Sequence, residues 1–289
     1  MAATKDMIGV IGLGLMGTAI TERLLEHGFP VAIWNRSRHK AKVLIERGAV
    51  WSDNPISSCN RVIISLYSSN VVAEVIAQMQ SSLRAKQILV DTTTGEPDDC
   101  VAMGKRLASV GVHYLDAPIS GSSEQTRRGE AMVMVGGDRV VFDTCADLWP
   151  VLGKTVYHTG ESGSASRMKL VSNLVLGLNR VALAEGLSFA NSIGVNPAAA
   201  LEILRGSVAY SRVMDIKGNK MLTSDFSVQA RLSQHLKDVR IILNLAATSG
   251  LELPVSQTHC KLLEQAESAG CGELDNSSII KVYQGKNKT

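Results

Sequence analysis

The sequence predicts a two-domain α/β protein: a doubly wound parallel sheet over residues 1–162, then an all-helical domain over 163–289 that opens with one long helix. Three observations carry this. Runs such as Ile8-Gly-Val-Ile11 and Val62-Ile-Ile64 are apolar throughout, which suits strands covered on both faces; alternation would mark a sheet with one wet face. No proline stands between Pro150 and Pro197, and apolar residues recur at helical spacing through Met168, Val171, Leu174, Val175, Leu178, Val181 and Leu183. Beyond Pro197 the periodicity stays helical, and 289 residues exceed the usual single core.

Seven strands are expected, at Met7–Gly12, Val31–Trp34, Arg61–Leu66, Gln87–Asp91, His113–Asp116, Ala131–Val135 and Thr155–His158, with amphipathic stretches between them as in βαβ units. The long helix is apolar nearly all round, so it must be buried against the second domain or a partner chain. Further helices are expected at Pro197–Leu204, Arg212–Leu222, Val228–Ser249, Val255–Ala269 and Ser277–Tyr283, and Gly194, Gly250 and Gly270 stand where C-caps belong. Only the Gly285–Thr289 tail reads as loose.

Composition narrows the function. The net charge of +3 comes without a long basic block, and the run Asn35–Lys40 is too short to track a nucleic-acid backbone, so no nucleic-acid partner is expected. Five scattered cysteines, at 59, 100, 145, 260 and 271, form no Cys-x-x-Cys pair and read as reduced thiols in a reducing compartment. No histidine pair has metal-ligand spacing, and no metal is expected. An apolar strand begins by Met7, leaving no room for a leader, and no run of about 18 apolar residues is read. A cytoplasmic protein without a membrane partner is the expectation.

The most informative motif is Gly12-Leu13-Gly14-Leu15-Met16-Gly17, a Gly-x-Gly-x-x-Gly placed directly after an apolar strand and before the helical stretch Thr18–Glu26. In that setting Gly12 permits a tight turn, Gly14 lets a pyrophosphate approach the backbone, and Gly17 lets helix and strand pack closely, as in a Rossmann-type dinucleotide site. At the end of the second strand, where NAD sites usually carry Asp or Glu, stand Asn35, Arg36 and Ser37. A carboxylate would repel a 2′-phosphate; Arg36 can pair with one and Ser37 can donate to it, so NADP(H) is preferred. Asn35 alone can also serve a ribose diol, which leaves NAD(H) possible.

Three further segments carry chemistry. After the fifth strand, Ser120, Gly121 and Ser122 can turn backbone N–H groups into a nest for a small carboxylate; an ordinary strand-to-helix turn with Ser122 or Ser123 as N-cap has the same composition. At the start of the long helix Lys169 and Asn173 share one face, and a Lys in so apolar a helix is suited to proton transfer unless it snorkels to solvent. In the segment Leu232–Leu245, Lys237 and Asp238 are adjacent and should point in different directions, so an internal pair is not expected; Asp238 is suited to tether a neighbouring segment, Lys237 to reach a cofactor, and both would equally serve as solvated charges.

With these motifs in order, the whole chain resembles the β-hydroxyacid dehydrogenase family, which includes 3-hydroxyisobutyrate dehydrogenases, tartronate semialdehyde reductases and glyoxylate/succinic semialdehyde reductases. The resemblance rests on Gly12–Gly17, Asp91-Thr-Thr-Thr94, Asp116-Ala-Pro-Ile-Ser-Gly-Ser122, Lys169-x-x-x-Asn173 and Leu236-Lys-Asp-Val239. It implies a Rossmann domain joined by the long helix to an all-α domain, usually in homodimers or homotetramers. It also implies that Leu66, Tyr67, Thr94 and Lys237 lie by the cofactor, that Ser120–Ser122 hold a carboxylate, and that Lys169 is the acid/base with Asn173 orienting the hydroxyl. The implied reaction interconverts a small hydroxyacid and its semialdehyde or keto acid. An imine reductase, which usually replaces the Lys, and a non-catalytic dinucleotide-binding module are the rival expectations. Two departures stand out. The family's Gly-x-Gly before the catalytic Lys reads Gly163-Ser-Ala165, and an aromatic position reads Ala230.

Overall fold

The computed structural model describes residues 5–284, so the tail expectation for Gly285–Thr289 lies outside the described residues. Two compact units emerge, Met1–Lys169 and Leu170–Thr289, dividing inside the long helix Ser164–Ser192.

The first unit is a Rossmann-type sheet. Strands β1 (Ile8–Ile11), β2 (Val31–Trp34), β3 (Val50–Trp51), β4 (Arg61–Ile64), β5 (Ile88–Asp91), β6 (His113–Asp116), β7 (Ile119–Ser120), β8 (Met132–Gly136) and β9 (Thr155–Gly160) follow in chain order. They assemble as β3-β2-β1-β4-β5-β6-β8-β7, with β9 beside β8. The six from β3 to β6 are mutually parallel, while β8 runs antiparallel to β6 and to β7 and parallel to β9. All seven expected strands are present. The antiparallel step at β8 was not expected: residues 117–131 hold only the short β7 and the single-turn-plus helix Ser123–Arg127, too little for a crossover that would keep β8 parallel.

Both faces of the central strands β1, β2, β4 and β5 are dry, which is why these strands are apolar without alternation. One face packs Ile8, Val10, Ile33, Ile63 and Val90 under Ile20 and Leu24 of helix Leu15–Glu26. The other packs Ile11, Val62, Ile64 and Leu89 under Val72 and Ile76 of helix Ser69–Gln78 and Met103 and Leu107 of helix Pro97–Ala108.

The second unit is helical. Leu183, Ala184 and Leu187 of the long helix share a core with Leu201, Val213, Met221, Leu236, Val239 and Leu263, drawn from helices Pro197–Arg205, Arg212–Thr223, Leu232–Thr248 and Pro254–Ala266. Gly194, Gly250 and Gly270 have φ of 81°, 75° and 82°, the left-handed geometry that ends a helix. The helix expected from Val228 starts only at Leu232, because the amides of Gln229 and Ala230 donate to the buried Asp275 carboxylate, which also receives Lys217 Nζ at 2.8 Å. By length and mean hydropathy (1.2) the long helix meets the composition test for a membrane span, which the sequence reading did not anticipate. It nonetheless buries Lys169, Asn173 and Arg180.

Candidate active site

The glycine loop is built by exclusion of side chains. A Cβ on Gly12, whose φ is 100°, would lie 2.2 Å from the Ser65 carbonyl oxygen, and one on Gly17 would lie 1.9 Å from the Gly12 oxygen. Gly14 differs: a Cβ there would meet nothing within 4 Å, so the position faces open space. Helix Leu15–Glu26 starts at Gly14 with no side-chain cap, leaving its first amides for an outside acceptor. This is the cradle a dinucleotide pyrophosphate requires, with the helix dipole favouring the anion.

Asn35 is used locally. Its Oδ1 accepts the Leu13 amide at 3.0 Å and its Nδ2 donates to the Ser37 carbonyl at 3.0 Å, so it staples the turn after β2 to the glycine loop. Arg36 is exposed and makes no ion pair among the described residues, while Ser37 is half-buried. At the ends of β4 and β5, the Leu66 amide donates to Thr93 Oγ1 at 3.1 Å, Tyr67 is 53% exposed and Thr94 is half-buried.

The Ser120–Ser122 segment divides in function. Ser122 forms a reciprocal capping box with Gln125: the Ser122 amide donates to Gln125 Oε1 at 2.9 Å and the Gln125 amide to Ser122 Oγ at 3.2 Å. The amide of Ser122 is therefore engaged, as the N-cap alternative expected, and Gly121 is the exposed residue of the three.

On the long helix Lys169 is only 7% exposed and does not snorkel. One turn on, Asn173 is 6% exposed and its Nδ2 donates to Asp238 Oδ2 at 2.9 Å. Asp238 thus tethers helix Leu232–Thr248 to the long helix, as its sequence position suggested. The expectation that Lys237 and Asp238 would not pair is corrected: Lys237 Nζ lies 3.1 Å from Asp238 Oδ1. A lysine stem is long enough to fold back on its neighbour, and with both residues largely buried the pairing offsets the cost of desolvating two charges.

Two carboxylates of the first unit open motifs quoted from the sequence, which assigned them no role of their own. Asp91 and Asp116 are register partners at the ends of β5 and β6, and both are buried. Asp91 accepts Tyr114 Oη at 2.8 Å and the Thr93 amide at 2.9 Å. Burial pushes its carboxyl from 3.8 up to about 6, against those hydrogen bonds.

Residues 7–160 match the family described as the NAD binding domain of 6-phosphogluconate dehydrogenase, and residues 163–283 match that described as the NAD-binding domain of NADP-dependent 3-hydroxyisobutyrate dehydrogenase. Among curated relatives, glyoxylate/succinic semialdehyde reductase 1 of Arabidopsis thaliana is 28% identical over 285 residues, covering 96% of this chain and 98% of the relative. The 2-(hydroxymethyl)glutarate dehydrogenase of Eubacterium barkeri is 30% identical over 284 residues, covering 96% and 94%. A solved structure of Psf3 in complex with NADP+ and 2-OPP superposes with a TM-score of 0.87 at 26% identity, covering 95% and 99%. The chain belongs to the β-hydroxyacid dehydrogenase family and is an NAD(P)-binding oxidoreductase.

Two outcomes follow from the geometry. Gly14→Ala should leave the melting temperature unchanged yet weaken dinucleotide binding by about tenfold or more, measured by fluorescence titration, since its methyl would occupy only the space a pyrophosphate needs. The Asp91 shift also sets a pH dependence. The folded chain holds this proton up to about pH 6 and the unfolded chain only to about 3.8, so the contribution is full below 3.8 and is lost as pH rises through 6. Asp91→Asn, which keeps the shape of the protonated carboxyl but cannot titrate, should flatten that decline in stability, read by urea unfolding across the same range.

Proposed function

We propose that this enzyme is an NADP(H)-preferring reductase that interconverts a small β-hydroxyacid with its semialdehyde or keto acid, using Lys169 as general acid/base. The observation that carries the reading is the burial of Lys169 one helical turn from Asn173, itself fixed by Asp238. An amine withdrawn from bulk water exchanges its proton with a bound substrate rather than with solvent. Residues 1–162 would serve as the dinucleotide domain and 163–289 as the substrate and oligomerisation domain.

A bound nicotinamide supplies or accepts the hydride. In the reductive direction, protonated Lys169 donates to the substrate oxygen as negative charge develops there; in oxidation, neutral Lys169 removes the hydroxyl proton. Asn173 orients that oxygen. The Ser120 hydroxyl and the Gly121 amide hold the substrate carboxylate, with Ser122 fixing the turn behind them through its capping box. The first amides of helix Leu15–Glu26 take the pyrophosphate, with Leu66, Tyr67, Thr94 and Lys237 lining the nicotinamide side. Arg36 and Ser37 recognise the 2′-phosphate. The absence of an acidic residue at Asn35 supports that cofactor choice, as does the complexed NADP+ of a structural neighbour.

The relatives' names favour substrates such as glyoxylate, succinic semialdehyde or a hydroxymethyl dicarboxylate. Met168, Val171, Val175 and Phe189 on the long helix are exposed apolar residues, which supports a homodimer or homotetramer. The five cysteines are all free and buried, consistent with a cytoplasmic setting.

Lys169→Ala should lose on the order of 100-fold or more in kcat, with dinucleotide affinity kept, when NADPH absorbance is followed with a panel of semialdehydes and glyoxylate. Turnover at the native rate would remove Lys169 from its role. Arg36→Ala should raise KM for NADPH by roughly tenfold and leave KM for NADH nearly unchanged; a native preference for NADH would overturn the cofactor assignment.

A further inference from the structure

The long helix could have been capped by its own neighbours. Ser162 and Ser164 flank its start, yet Ser162 Oγ donates to the Cys100 carbonyl at 3.4 Å and Ser164 Oγ bonds Thr159 Oγ1 at 2.7 Å. The cap comes instead from a strand nearly fifty residues earlier. Asp116 Oδ1 accepts the Gly163 amide at 2.8 Å, and Oδ2 accepts the Ser166 amide at 2.9 Å and Ser166 Oγ at 3.2 Å. The carboxyl is 1% exposed and makes no ion pair among the described residues; burial pushes its pKa above the ordinary carboxylate value, and the bonds from Gly163 and Ser166 pull the other way. The titratable groups around it are Asp91, Tyr114 and Cys100.

The surroundings are cut to admit this contact. A Cβ on Gly136, the register partner of Asp116, would lie 2.6 Å from Asp116 Oδ1 and 2.8 Å from Ser164 Oγ. Gly163 sits at φ 85°, and a Cβ there would lie 2.8 Å from Val101 Cγ2. Through its backbone, Asp116 leads within five residues to Ser120 and Gly121; through its carboxylate, it grips a helix turn ending three residues, about 4.5 Å of helix rise, before Lys169.

We propose that Asp116 is a positioning residue, a single rigid link that sets the distance between the carboxylate-binding turn and the Lys169 amine. This rests on the reading of Lys169 and Ser120–Gly121 given above. Its consequence is specific: loosening the link disorders the reacting geometry and leaves the glycine cradle at the end of β1, three strands away in the sheet, as it was.

The test is Asp116→Asn, which keeps the shape but replaces one acceptor with a donor facing a donor. The expected result is faster hydrogen exchange at the Gly163–Ser166 amides and a fall in kcat of roughly 10- to 100-fold, with dinucleotide Kd unchanged and substrate KM changed far less than kcat. Native kcat, or a fall in kcat matched by an equal loss of dinucleotide affinity, overturns the proposal. If that variant does not fold, Ser166→Ala, which removes one bond of three, should give the same pattern at smaller amplitude; native exchange and kcat in Ser166→Ala would then overturn it. A wild-type protein inactive on every aldehyde of the panel would instead sink the functional reading, while the exchange measurement would still report whether Asp116 holds the helix.

Discussion

Between the Gly12 carbonyl and the Cα of Gly17 there is no space for a methyl group, and between Gly12 and the Ser65 carbonyl there is none either. That double close approach draws the first helix down onto the sheet and aims its unpaired amides along the edge where β1 and β4 end. Everything assigned to the dinucleotide depends on it. Any L-residue at Gly12 would meet both a forbidden φ and a backbone oxygen, so the constraint belongs to the fold as well as to the ligand. Gly14 is the exception that shows the difference, since the fold would tolerate a side chain there and only a ligand would not.

The polar groups follow a division of labour. Of the residues legible as motifs, Arg36 and Gly121 sit at element ends and are exposed while Lys169 and Asn173 are buried on the long helix; the groups that hold the elements in place are paired over long sequence distances. Asn35 ties to Leu13, Asp116 to Gly163 and Ser166, Asp238 to Asn173, and Asp275 to Lys217. Each joins elements that local sequence treats as separate. Such bonds add modestly to stability, and their larger effect is to fix relative positions, because a buried carboxylate without its donors is costly.

The sheet was legible because its strands are dry on both sides and so read as unbroken apolar runs from Ile8 to Val135. The two-residue strands β3 and β7 were not, since Val50–Trp51 and Ile119–Ser120 are too short to carry a period. The start of helix Leu232–Thr248 was misplaced by four residues because the amides that would have extended it are taken by Asp275, some forty-five positions away. The candidate site was legible where chemistry demands a residue type at a fixed spacing, as at Gly12–Gly17 and Lys169–Asn173. It was illegible where only three-dimensional pairing gives a residue its part, as with Asp116, and it was misread at Lys237–Asp238, where side-chain length overrode the divergence of adjacent helical positions.

The central claim is that this chain transfers hydride between a nicotinamide and the carbonyl carbon of a small carboxylate-bearing aldehyde. Turnover of glyoxylate or succinic semialdehyde with NADPH carrying deuterium at both C4 positions, followed by mass spectrometry of the hydroxyacid, measures that transfer directly. The account predicts one deuteron per product molecule, on the former carbonyl carbon. A hydroxyacid free of deuterium, or no hydroxyacid with either cofactor, would contradict it.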